Sequence, residues 1–160
     1  MNLGYIAILL FFGLFSTSHL RAHCEIPCGI YDDELRMTMM GEHITTIEKA
    51  MIEIKNLTGS KKRDDHQVVR WVTNKEKHAE EFQHVVTQYF MTQRLNPEKI
   101  SEKDYFNQLT LLHQMLLVSV KAKQTLELSH VEQLRGLLKR FGEIYFKEHK
   151  QVHKNRDTQK

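Results

Sequence analysis

From residue 32 onward, apolar positions recur with the period of an amphipathic helix in four successive blocks. The first, over about 32–57, carries Ile44, Ile47, Met51 and Ile54 at spacings of three and four. A polar break follows, Thr58-Gly59-Ser60-Lys61-Lys62-Arg63-Asp64-Asp65, with glycine as a stop signal. The second block, about 66–94, carries Val68, Val72, Ala79, Phe82, Val86, Tyr89 and Phe90 and is closed by Asn96-Pro97, because the residue before proline is steered away from the helical region. Ser101 with Asp104, and Ser129 with Glu132, read as helix starts: the hydroxyl takes a free backbone N–H and the acid complements the helix dipole. The stripes behind them are Tyr105, Leu109, Leu112, Leu116, Val120, and Val131, Leu134, Leu138, Phe141, Tyr145. Short connections between four such helices predict an all-α, antiparallel up-down-up-down four-helix bundle over 32–150. The polar residues 151–160 read as a disordered tail.

Composition narrows the class without changing this picture. In 160 residues there are two prolines, with none between Pro27 and Pro97, which argues against a turn-rich sandwich or barrel. The formal net charge of +3, from 23 basic and 20 acidic side chains, lacks the clustered excess of a nucleic-acid binder. Lys61-Lys62-Arg63 reads as a solvated loop tip, and Asn56-Leu57-Thr58 matches a glycosylation sequon of low specificity. On the third helix Leu111, Met115, Leu117 and Val118 lie beside the core stripe. A helix apolar nearly all round needs burial on more than one side.

Ahead of the bundle, residues 3–15 form an apolar run followed by Ser16-Thr17-Ser18 and then Leu20-Arg21-Ala22. The run has the size of a signal-peptide core and is short for a spanning helix of about 20 residues. Residues 1–22 are therefore read as a cleaved leader, with a retained anchor as the alternative. No basic residue precedes the run, and Leu20 and Arg21 are larger than residues usual before a cleavage site. Export to a periplasmic or extracellular location follows, with no membrane attachment of the mature form. A cytoplasmic protein served by a dedicated leader protease is the other possibility.

The chemistry is concentrated in His23-Cys24-Glu25-Ile26-Pro27-Cys28-Gly29-Ile30-Tyr31, which holds both cysteines of the chain. Cleavage after Ala22 would give His23 a free amine. That amine, the imidazole, the Cys24 backbone nitrogen and two thiolates then fall within six residues. Soft thiolates with nitrogen donors suit Ni(II) or Cu(II) better than tetrahedral zinc. Two other readings stay open on the residues alone. One is a secreted helical binding module with a structural Cys24–Cys28 disulfide. The other is a non-catalytic N-terminal copper- or nickel-binding protein.

The pattern His-Cys-x-x-Pro-Cys-Gly-x-Tyr, after a removable leader and before a four-helix bundle, resembles the nickel superoxide dismutase family. The resemblance implies a superoxide dismutase with a nickel hook over 23–31 and Ni(II)/Ni(III) cycling, converting superoxide to oxygen and hydrogen peroxide. It implies one nickel ion per subunit, held by His23 (amine and axial imidazole), Cys24 (amide nitrogen and thiolate) and Cys28 (thiolate). Tyr31 matches the tyrosine beside the open face of the metal, and Pro27 the hook proline. A homohexamer and a maturing leader peptidase are implied as well. This sequence departs from the family in carrying Glu25 where aspartate is common. Met39 stands at the place of a supporting glutamate, with Glu42 one turn later, and His78 near the place of a supporting arginine; such residues orient metal-bound histidines. The remaining histidines, His43 among them, read as structural or surface residues.

Overall fold

The computed structural model describes the backbone of residues 31–157 and the side chains of 31–147; the leader and the hook as far as Ile30 lie outside the described residues. Four helices follow one another: α1 (Asp33–Gly59), α2 (Asp65–His84), α3 (Glu102–Gln124) and α4 (Leu128–Asp157). Beyond His84 the second helix continues as a π-helical segment, Val85–Arg94. The described residues contain no strand. Acceptors at three helix starts follow the sequence directly. Asp32 accepts from Leu35 N at 2.9 Å, Asp64 from Gln67 N at 3.2 Å and Ser101 from Asp104 N at 3.1 Å. Each satisfies a backbone donor that the first helical turn leaves without a partner.

Consecutive helices pack on one another and α4 returns against α1, which closes the ring. Long-range contacts give the directions. Asp33, at the start of α1, bonds Arg94 at the end of the second helix and Tyr145 late in α4. Lys75, early in α2, reaches the carbonyls of Ala122 and Lys123 at the end of α3. This is an antiparallel up-down-up-down bundle. Its core is built from Met40, Ile44, Ile47 and Met51 of α1, Phe82, Val86 and Phe90 of the second helix, Leu112 and Met115 of α3, and Val131, Leu134, Phe141 and Tyr145 of α4. A Cβ at Gly142 of α4 would stand 2.8 Å from Met37 Cε of α1, the movable end of a methionine side chain.

Three expectations are corrected. On α3 the buried stripe is Gln108, Leu111, Leu112, Met115, Ser119 and Ala122, rotated from the stripe that the periodicity suggested, and Val120 is exposed. Leu111 and Met115 are thus core residues rather than surplus surface, while Leu117 remains exposed. A helix apolar on several sides offers more than one plausible stripe. Polar contacts help to fix the observed one, Gln83 Nε2 donating to Ser119 Oγ at 2.8 Å. On α2, Val72 is exposed and Lys75 is buried, because the lysine serves the end of α3. Finally, α4 starts at Leu128 rather than after a Ser129 cap, with Leu126 and Leu128 packed against the core to set the entry. Helical backbone also continues past residue 150 to Asp157.

Candidate metal centre

The end of the bundle at which the described residues begin is organised around one carboxylate. Asp33, in the first turn of α1, accepts from Tyr89 Oη on Oδ1 at 2.6 Å. Its Oδ2 accepts from Arg94 Nη2 at 2.6 Å and from Tyr145 Oη at 2.9 Å. Arg94 Nε also donates to Tyr145 Oη at 3.1 Å. The Asp33 and Arg94 side chains are largely buried, 15% and 18% exposed, so the ion pair is shielded from solvent, and the two tyrosine hydroxyls add further hydrogen bonds to it. Burial by itself would raise the Asp33 pKa. The bonds from Arg94, Tyr89 and Tyr145 outweigh it and hold the carboxyl below its ordinary value. Burial first, then the Asp33 carboxylate, pushes the Tyr89 hydroxyl well above the ordinary tyrosine value. The Tyr145 hydroxyl is pushed up likewise, by burial above all. Both tyrosines keep their protons.

The π-helical segment brings two of these groups together. In a π-helix the backbone bond runs from i to i+5, so residues five apart stack, whereas an ordinary helix turns in 3.6 residues. Leu95 N donates to Phe90 O at 2.8 Å in that register, and Thr92 Oγ1 to Thr87 O at 2.7 Å. Tyr89 and Arg94 are five residues apart and converge on Asp33 from one face.

Tyr31 stands over this cluster. The residue is 38% exposed, and its ring meets that of Tyr89 in a T-shaped arrangement, with centroids 5.9 Å apart. The Arg94 guanidinium carbon lies 4.4 Å from the Tyr31 ring centroid, and that of Arg36 lies 5.2 Å from the Tyr89 centroid. Both are cation–π distances. Two guanidinium groups therefore flank the tyrosines where the described residues begin, the Arg94 charge being paired with Asp33.

Of the other residues singled out by sequence, His23, Cys24 and Cys28 lie outside the described residues. Met39 is half-buried, with Arg36 Nη1 at 3.6 Å from its sulfur. Glu42 is exposed. His78 faces His43 across the α1–α2 interface, with the two Nδ1 atoms 3.0 Å apart. Among the described residues, no group of three or more His, Cys, Asp or Glu side chains is arranged to hold a metal ion. No described helix is long and apolar enough to cross a membrane. Asp33, Arg94 and Tyr145 were not foreseen. A tyrosine inside a core stripe needs a partner for its hydroxyl, and that requirement at Tyr89 and Tyr145 was the available signal.

The family model described as nickel-containing superoxide dismutase matches residues 18–150. The chain belongs to the nickel-containing superoxide dismutase family. As a nickel superoxide dismutase it is an oxidoreductase with superoxide as substrate and nickel as cofactor. The matched span includes residues 23–31 as well as most of the bundle. Family membership favours neither a helical module with a merely structural disulfide nor a metal carrier without turnover. No curated protein and no solved structure matches the chain.

Proposed function

We propose that this nickel superoxide dismutase holds its metal through the first residues of a matured chain, with His23 made N-terminal by removal of residues 1–22. One observation carries the reading: in a chain of a nickel-containing family, both cysteines and a histidine stand at 23, 24 and 28, next to the Tyr31 cluster. The ligands are the His23 amine and imidazole, the Cys24 amide nitrogen and thiolate, and the Cys28 thiolate. Thiolate and deprotonated amide donors are anionic and strongly donating, a set that fits nickel in two oxidation states. When bound, nickel supplies the one-electron Ni(II)/Ni(III) couple by which one superoxide is oxidised to oxygen and another reduced, with two protons, to hydrogen peroxide.

The chain's own residues provide the setting. Arg36 keeps a guanidinium beside the Tyr89 ring, while the Arg94 charge is paired with Asp33. Tyr31 offers the hydroxyl nearest the hook along the chain. Tyr89 and Tyr145 keep their protons and spend them on Asp33, so they are fixed hydrogen-bond donors rather than bases.

Maturation by a leader peptidase and export to a periplasmic or extracellular location complete the reading, supported by the apolar run at 3–15. Assembly as a homohexamer is supported by apolar side chains left outside the bundle core, Phe106, Leu117 and Val120. The test of the ligand set is the N-terminus. Protein beginning at His23 should take up nickel and turn over. Protein still carrying Ala22 has an amide in place of the amine and should not. Full activity with Ala22 attached would overturn the assignment.

A further inference from the structure

We propose that Arg94 is a positioning residue for Tyr31, held in place by Asp33 and Tyr145; this rests on the reading of Tyr31 as the tyrosine beside the metal. Among the described residues, the ring contacts of Tyr31 are with the Arg94 guanidinium carbon, 4.4 Å from its centroid, and with Tyr89 in a T-shaped arrangement at 5.9 Å. Neither uses the hydroxyl, and the residue is more than a third exposed and outside the core cluster, so core packing does not fix the ring. A free arginine side chain has many rotamers and would be a poor clamp. Here the guanidinium is tied along its edge, to Asp33 Oδ2 at 2.6 Å and to Tyr145 Oη at 3.1 Å, which leaves its flat face for the ring.

Chain connectivity closes the device. Tyr31 and Asp33 are two residues apart at the start of α1, and both meet Arg94, one on its face and the other on its edge. The π-helical register carries Arg94 to that point, five residues beyond Tyr89. Only a planar cation offers stacking and in-plane donation together. Lysine keeps the charge but has neither the flat face nor the fork. The Asp33–Arg94 pair thus does more than tie α1 to the second helix; it sets the ring of the residue that leads into the hook.

A double-mutant cycle separates this role from a contribution to folding alone. Nickel-loaded proteins beginning at His23 would be compared as wild type, Arg94→Lys, Tyr31→Phe and the double variant. Superoxide decay per bound nickel and the melting temperature would be measured for each. Arg94→Lys should slow decay about tenfold in the wild-type background and less than about twofold in the Tyr31→Phe background, because the hydroxyl to be positioned is then absent. The melting temperature should fall equally in both backgrounds. Equal slowing in both backgrounds, or no slowing in either, would overturn the proposal. Should Arg94→Lys fail to fold, Tyr145→Phe removes one tie and keeps the ion pair; it should show the same background dependence at about threefold, and additive effects there would be equally fatal. A second arm is independent of turnover. In metal-free protein, NMR should show Tyr31 ring protons close to Arg94 and Tyr89, with both contacts weakened in Arg94→Lys. Inactive wild-type protein that keeps this NMR behaviour would refute the dismutase reading and leave the clamp standing. Unchanged Tyr31 resonances in Arg94→Lys would refute the clamp.

Discussion

His43 on α1 and His78 on α2 face one another with Nδ1 atoms 3.0 Å apart and ring centroids 5.2 Å apart. At that distance one nitrogen donates and the other accepts, so the contact requires one shared proton between the two nitrogens. Burial first, then the neighbouring His78, lowers the His43 pKa, while Glu81 and Glu42 pull the other way without reversing the shift.

This contact makes stability depend on pH in a defined direction. With the folded pKa below the unfolded value of about 6.5, the unfolded chain binds more protons once the pH drops past that value. The contribution is therefore complete above about pH 6.5 and is lost as the pH falls through the folded pKa. Melting temperatures of metal-free protein should decline between about pH 7.5 and about pH 5, and His43→Gln should flatten that decline. An equal slope in the variant would remove His43 as its source.

Asp33 is the centre of the hook-end network, and its replacement should be costly. Asp33→Asn leaves the Arg94 charge largely buried without its counter-ion, which costs about 3 kcal/mol in comparable pairs. The sign with pH is that of a carboxylate held below its ordinary value. The contribution is present above about pH 4 and disappears as the pH falls through the folded pKa. Denaturant titrations of wild type and Asp33→Asn should differ most at neutral pH and converge toward about pH 2. A constant difference would show that the carboxylate charge is not what matters.

Lys75 is 3% exposed, and its ammonium group donates to Ala122 O at 2.9 Å, to Lys123 O, and to Glu76 Oε1 at 3.1 Å. It supplies donors to carbonyls at the end of α3 and complements the negative end of that helix. Lys75→Met keeps much of the volume and removes every donor. It should lower stability by about 2 kcal/mol and speed amide exchange in the last turn of α3. Unchanged exchange at Lys121–Thr125 would contradict the capping role.

The bundle was legible because the signals for it are local. The Ser101 cap, the proline past the end of the second helix and most of the three-to-four spacing are short-range signals, and Ile44, Phe82, Leu134 and Tyr145 are buried as their spacing suggested. What escaped depended on partners far along the chain. Lys75 is buried because α3 ends beside it, 47 residues later, and Asp33 matters because Arg94 and Tyr145 arrive 61 and 112 residues on. The change of helical register after His84 likewise has no marker in apolar spacing, since Val85, Val86, Tyr89 and Phe90 suit either helix. The proposed hook rests on a signal that is local in the chain, its donors lying within six consecutive residues.

That set makes separable expectations for its members. Either Cys→Ser change replaces a soft thiolate with a hard, largely protonated hydroxyl and should abolish dismutation even where some nickel is retained. His23→Ala keeps the terminal amine and should retain nickel with much slower turnover. Tyr31→Phe should keep full occupancy and alter rate or peroxide sensitivity. Nickel per subunit, measured beside turnover in each variant, distinguishes these outcomes.

The central claim is tested most directly by the rate of superoxide decay per bound nickel, in protein beginning at His23 and in its Cys24→Ser variant. The wild-type rate should rise in proportion to bound nickel and far exceed that of the same nickel in buffer, while Cys24→Ser should fall to the buffer rate. Normal turnover in Cys24→Ser, or nickel-loaded wild type no faster than nickel in buffer, would contradict a nickel-hook dismutase.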